Sequence, residues 1–256
     1  MGVLLALVVV LLVASVEPRN LERIVGGGAA ALNQYPAIAA LVAEDSPTVF
    51  SLICGGTIVS TRSILTAATC TFGHTEHRFR IRVGSLNFGS DGILLHANSI
   101  INHQQYNAVT RINDISIIRT TEVIIYGSNI HQAALPPTAN YNIGVNQPVW
   151  AAGWGNTNLP SLTPTPLQFV ELRPVTQATC TTRYRELGRT INANMLCAGL
   201  LDFDGRGPCQ GDEGGPLFDN GIVVGIYSFR NGCTQSRYPN VFTRTSRYLT
   251  WIRNNL

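Results

Sequence analysis

Six cysteines, Cys54, Cys70, Cys180, Cys197, Cys209 and Cys233, are the side chains whose chemistry this sequence announces first. Thiols can oxidise in pairs or hold a metal, and spacing separates the two. A zinc site draws on close Cys-x-x-Cys pairs. The nearest neighbours here, Cys197 and Cys209, are much farther apart, so no metal and no cofactor is expected. Three disulfides are the simpler reading for a chain entering an oxidising compartment, and spacing alone leaves fifteen pairings open.

The compartment follows from the N-terminus. Val3 to Val13 is an unbroken run of small aliphatics ending in Ala14 and Ser15, too short to span a bilayer and without the alternation of a strand. It reads as a cleaved secretory signal over residues 1–15, although no basic residue precedes it. No second apolar run of comparable length follows, so no membrane is expected as a partner.

The elements that must carry the cysteines are strands. From Ile38 onward, β-branched stretches alternate with turn residues: Ile38 to Ala43, Gly55 to Ser60, Phe79 to Val83, Ile93 to Ile101 and Ile115 to Arg119. After a Pro-containing, weakly patterned stretch from Leu135 to Gln147 the rhythm resumes in Val149 to Trp154, Gln168 to Pro174, Ile222 to Phe229 and Asn240 to Arg244. Only Tyr248 to Leu256, with Leu249, Ile252 and Leu256 on one face and Ser246 as its cap, reads as a helix. The architecture expected is all-β, two domains and a terminal helix.

At 256 residues the chain can bury a large core, and 13% charged residues with 45% hydrophobic residues exclude a disordered tail protein. A net charge of +3, evenly scattered, excludes the electrostatic footprint of a nucleic-acid binder. All 18 basic residues are arginine. Arginine keeps its charge well past the pH at which lysine loses it, so such a surface suits an alkaline medium; drift in nucleotide composition would leave the same trace.

Several strings fit together: Arg23-Ile24-Val25-Gly26-Gly27, Cys54-Gly55-Gly56, Leu65-Thr66-Ala67-Ala68 before Cys70, Asn113-Asp114-Ile115, Gly153-Trp154-Gly155, and Cys209-Gln210-Gly211-Asp212 followed by Gly214-Gly215-Pro216. On these the chain from Ile24 to Leu256 resembles the trypsin/chymotrypsin-like serine peptidases, in the flavour of insect digestive trypsins. The resemblance implies two Greek-key, six-stranded β-barrels, about 24–134 and about 135–256, with the site in the cleft between them and a C-terminal α-helix. Asp114 and the segment before Cys70 would come from the first barrel, and Cys209 to Pro216 from the second. It also implies the bridges Cys54–Cys70, Cys180–Cys197 and Cys209–Cys233.

In that family a histidine takes a proton from a serine nucleophile while an aspartate holds the imidazole. The family string Ala-Ala-His-Cys reads Ala67-Ala68-Thr69-Cys70 here, so a hydroxyl stands where the base is needed. Gly-Asp-Ser-Gly-Gly-Pro reads Gly211-Asp212-Glu213-Gly214-Gly215-Pro216, putting a carboxylate, a poor nucleophile toward amides, in place of the serine. Asp114 alone is retained. His74, His77 and His103 lie off the position that anchors the base, and Asp114 with Glu213 as an acid dyad would be too far apart to couple strongly. The carboxylate of Glu213 is expected to fold onto the oxyanion-hole donors, the backbone amides of Gly211 and Glu213.

The specificity pocket is altered too. Gly207 occupies the floor position where trypsins carry an aspartate, the wall reads Ser228-Phe229-Arg230, and Asn240 replaces a glycine at the back. A plugged pocket is expected, with Arg230 either solvated or paired with Glu213 across the cleft. The activation apparatus is intact: residues 16–23 form a propeptide, a trypsin-like protease could cut after Arg23, and Asp212 could receive the freed Ile24 ammonium; inherited but unused sequence would look the same. The functional expectation is a secreted monomer, in an extracellular and alkaline gut-lumen setting, that lacks catalysis and binds active proteases, protease inhibitors or other secreted proteins as decoy or regulator. An endopeptidase with displaced catalytic groups, and a structural protein of the gut lumen, are the alternatives.

Overall fold

The computed structural model describes residues 27–155, 166–203 and 205–256. The expected leader, the expected propeptide and the Arg23–Ile24 bond lie outside the described residues. Thirteen strands run β1 Gly28–Ala29, β2 Ile38–Ser46, β3 Val49–Ser60, β4 Ser63–Thr66, β5 Arg80–Val83, β6 Ile93–Asn102, β7 Ser116–Thr120, β8 Val149–Gly153, β9 Gln168–Val175, β10 Met195–Gly199, β11 Pro216–Asp219, β12 Ile222–Phe229 and β13 Asn240–Arg244. Three short helices join them, α1 Ala68–Thr71, α2 Gln177–Arg185 and α3 Leu249–Asn254.

The first barrel closes in the order β2-β3-β4-β7-β6-β5, and the second runs β9-β10-β13-β12-β11-β8 with β8 returning to β9. Both rings are antiparallel and repeat one Greek-key connectivity. The ends of the described chain cross between them. Strand β1 adds to β9 of the second barrel, with Gly28 opposite Phe169, while α3 lies on the first barrel, where Ile252 joins its core and Arg119 donates to the Asn255 carbonyl at 3.1 Å.

Period-2 alternation decides how the barrels meet. On β2, Ala39 and Leu41 face the first core, while Ile38, Ala40 and Val42 face Trp154 and Leu167 across the interface. The strand is therefore buried on both faces for its first five residues, which is why it reads as an unbroken apolar run. The Trp154 indole N–H donates to the Leu86 carbonyl at 2.7 Å, satisfying the polar edge of an otherwise buried ring. The three disulfides join Cys54 to Cys70, Cys180 to Cys197 and Cys209 to Cys233, the pairing the resemblance implied.

Two helical expectations need correction. Helix α2 was absent from the sequence reading because only Cys180 and Tyr184 of its nine residues are buried, too few to print a helical stripe. It is fixed instead by Thr176, whose hydroxyl accepts the Thr179 amide at 3.1 Å, and by the Cys180 bridge. At the C-terminus Ser246 does not cap: it sits inside a 3-10 turn, Thr245–Tyr248, and α3 starts only at Leu249. Tertiary anchoring overrides the cap, because Thr245 Oγ1 donates to the Val223 carbonyl at 2.6 Å and Tyr248 is buried.

One buried cation organises the hairpin loop between β5 and β6. Arg82 is 7% exposed; its Nε donates to the Phe88 carbonyl at 2.7 Å, its Nη1 to that of Asp91 at 2.5 Å, and its guanidinium lies 4.9 Å from the Phe50 ring centre. Arg82→Met keeps the aliphatic stem but leaves those carbonyls without a donor. We expect a loss of about 2–4 kcal/mol, read as a lower urea midpoint at unchanged slope.

Candidate functional site

The site forms where three loops from two barrels meet. Helix α1, following β4, presents Thr69; the turn before β7 presents Asp114; the loop before β11 presents Gly211 to Gly215. The Gly55 amide of β3 donates to the Glu213 carbonyl at 2.8 Å, tying the last loop to the first barrel. Thr69 and Asp114 are brought together through the backbone: the Thr69 amide donates to Asp114 Oδ1 at 2.7 Å, while the Ser228 hydroxyl donates to Oδ2 at 2.5 Å. Burial of Asp114 raises its pKa to about 6, against the lowering effect of Ser228, Thr69 and the nearby Arg111 charge. Thr243 Oγ1 donates to the Asp114 backbone carbonyl at 2.6 Å, so this residue is held from both barrels, by its main chain as well as its carboxylate.

None of the three histidines singled out by sequence serves Asp114. The His74 ring packs edge-on against Phe79, His77 pairs with Glu76 at 3.6 Å, and His103 sits between the rings of Tyr248 and Trp251. Glu213 is likewise engaged elsewhere. Its Oε2 accepts the Gly211 amide at 2.7 Å, one of the two donors named from the sequence. A carboxylate so placed occupies the amide that the resemblance assigns to an oxyanion hole.

Asp212, its neighbour, turns the opposite way. It is wholly buried, with Oδ1 accepting the Gly155 amide at 2.7 Å and Oδ2 the Cys209 amide at 3.0 Å. Glycine at 153 is demanded by this approach, since a Cβ there would stand 2.0 Å from Oδ1. Desolvation raises the Asp212 pKa to about 7, and the adjacent Glu213 charge pushes the same way.

The pocket residues named from sequence converge, but not all as expected. Gly207 has φ 146, and a Cβ on it would fall 2.4 Å from Nδ2 of Asn240, whose wholly buried amide fills the space beside the floor. That amide donates to the Ala198 carbonyl at 3.0 Å, while Oδ1 has no hydrogen-bond partner. Ser228 points its hydroxyl at Asp114, and Phe229 is a core residue stacked edge-on against Tyr184 at 5.6 Å.

Arg230 corrects both destinations offered for it. Its guanidinium is neither solvated nor turned to Glu213, but donates to the carbonyls of Gly205 at 2.7 Å, Cys233 at 2.9 Å and Gln235 at 2.8 Å. A half-buried cation needs several acceptors at once, and these two loop ends offer carbonyls where Glu213, held by Gly211, offers one carboxylate already in use.

Sequence reasoning missed two residues at the cleft. Arg111 has φ 56, which turns its side chain out of the 103–114 loop so that Nη1 donates to the Ser228 carbonyl at 2.8 Å. Arg189, just past α2, places its guanidinium 4.9 Å over the Phe229 ring. Neither belongs to a motif, and a left-handed arginine leaves no compositional trace.

A trypsin family model matches residues 24–252 of the chain. "Trypsin, alkaline B" of Manduca sexta is 45% identical over 238 residues, spanning 93% of each chain. "Trypsin CFT-1" of Choristoneura fumiferana is 44% identical over 100% of both. "Achelase-1" of Lonomia achelous is 42% identical across 91% of this chain and 100% of its own.

Proposed function

Because the chain belongs to the trypsin family, we propose that it is a secreted member without peptidase activity, acting by binding active proteases, their inhibitors or other secreted proteins. The observation that carries this reading is the Glu213 carboxylate on the Gly211 amide, at the position where the family keeps its serine. Thr69 supports it, because the chemistry needs a ring nitrogen there and Asp114 receives a backbone amide instead. Arg230 and Asn240 support it from the pocket, since both fill space a substrate side chain would need.

The setting follows from other features. The Val3 to Val13 segment and three disulfides favour secretion, and among the described residues no helix is long and apolar enough to cross a membrane. Arginine at all 18 basic positions suits an alkaline lumen, and the Manduca sexta relatives carry the word alkaline in their names. Burial disfavours the ionised form of Asp212, and the ammonium freed by cleavage after Arg23 would offset that cost, so processing by a trypsin-like protease is part of the proposal.

A second reading, an active endopeptidase with displaced catalytic groups, draws on the relatives being named trypsins. The test is to cleave the purified chain after Arg23, then follow peptide-ester hydrolysis and labelling by a serine-directed phosphonate. No burst and no adduct are expected. An acyl adduct on any residue of the cleft would overturn the first reading in favour of the second.

A further inference from the structure

We infer that the cleft edge around Arg111 and Arg189 is a docking surface for an extended, acidic segment of a partner protein. This deepens the binding role proposed above and rests on it. The two cations flank one strand end, because Arg111 is held on the Ser228 carbonyl and Arg189 over the ring of the next residue, Phe229. A carbonyl and a ring fix a guanidinium without cancelling its charge.

Their neighbours are treated differently. Arg183 pairs with Asp202 and Arg237 with Glu186, so the flank beyond the cleft is neutralised, whereas neither Arg111 nor Arg189 has a carboxylate within 4.0 Å among the described residues. The two nearby acids are engaged: the buried Asp114 carboxylate accepts from the Thr69 amide and the Ser228 hydroxyl, and Glu213 accepts from Gly211. Asp114, on which the Arg111 charge acts, lies buried, whereas Arg189 is exposed and Arg111 partly exposed, so both cations are accessible beside this strand end.

Beside it stands an apolar rim. Val109 is 89% exposed and Phe72 56% exposed, and Phe72 meets Tyr106 edge-on at 5.4 Å on the loop that carries Arg111. Acidic side chains matched to the two guanidinium forks, with apolar ones on the rim, give complementarity in charge and in surface. Arginine also keeps this surface cationic in an alkaline medium, where the partner's carboxylates are fully ionised.

The probe is a fluorescein-labelled hexaglutamate peptide ending in phenylalanine, titrated by anisotropy into the mature chain at about pH 9, beside the hexalysine counterpart and an oligothymidylate. Arg111→Gln with Arg189→Gln should weaken glutamate-peptide binding by roughly tenfold or more, while Arg247→Gln, an exposed arginine elsewhere, should leave it within about twofold. Arg189→Gln alone, at an exposed position whose described side-chain contact is the Phe229 ring, should show a partial loss if the double variant misfolds. Equal binding by the variants, or an oligothymidylate bound as tightly as the peptide, would overturn the proposal. The readout is binding, so a failure here is separable from the appearance of peptidase activity, which would instead overturn the non-catalytic reading.

Discussion

Installing Thr69→His and Glu213→Ser together should make the processed chain susceptible to a small serine-directed phosphonate while leaving it a very poor hydrolase of arginine-bearing peptides. The first half follows from geometry already in place. Asp114 Oδ1 is 2.7 Å from the Thr69 amide, so an imidazole on the same residue starts within reach of its orienting carboxylate, and removing the Glu213 side chain releases the Gly211 amide. The second half follows from the pocket. Without an acid at Gly207 a substrate guanidinium would be buried without a counter-charge, and the space is taken by Asn240 and Arg230. Gly207→Asp alone cannot repair this, because its Cβ would lie 2.4 Å from Asn240 Nδ2 at a φ of 146. The changes must be made as a set: Asn240→Gly, Arg230→Gly and Gly207→Asp on the double variant should raise kcat/KM by roughly 10³-fold or more, well beyond the product of the single effects. A double variant that already matches the full set would show that the pocket is not closed.

The same residues mark how far sequence alone carries. Strands β2, β6, β12 and β13 were legible because β-branched residues alternate, or run apolar where both faces are buried. Strands β4 and β11 were not: each has four residues, and β11 opens on Pro216, so neither prints a period. Thr69 and Glu213 were legible as departures from the family's strings because they sit inside dense motifs. The Glu213 contact could be anticipated because it is local, spanning two residues. Arg111 to Ser228 spans 117 positions and depends on a backbone conformation that arginine rarely adopts, so only the folded chain reveals it. Arg230 was misplaced for a related reason: the acceptors described for it are backbone carbonyls, which every sequence contains and none advertises.

Unprocessed chain should lose stability as pH rises from about 4 to about 7, the reverse of the usual behaviour of paired carboxylates. Asp114 and Asp212 both have folded pKa values raised above the model value of 3.8, to about 6 and about 7, with desolvation the first cause in each. The folded state therefore holds more protons than the unfolded state in that window, and each proton surrendered on folding-compatible ionisation is a cost. For Asp212 the shift corresponds to on the order of 4 kcal/mol once the group is ionised, or a fall in Tm of roughly 8–16 °C for a chain of this size. Cleavage after Arg23 should reverse the trend. An Ile24 ammonium against Asp212 would stabilise the ionised carboxyl and pull its folded pKa down, so stability would hold through neutral pH and fade only as the ammonium itself loses its proton at higher pH. Thermal melts of cleaved and uncleaved chain should accordingly diverge between about pH 5 and pH 8. Asp212→Asn should make the uncleaved profile shallower, leaving the share of Asp114, and abolish the divergence, although it starts lower because one of the Gly155 and Cys209 amides loses its acceptor. Parallel profiles for the two forms would mean that Asp212 receives no ammonium, and that a retained activation sequence does nothing for this fold.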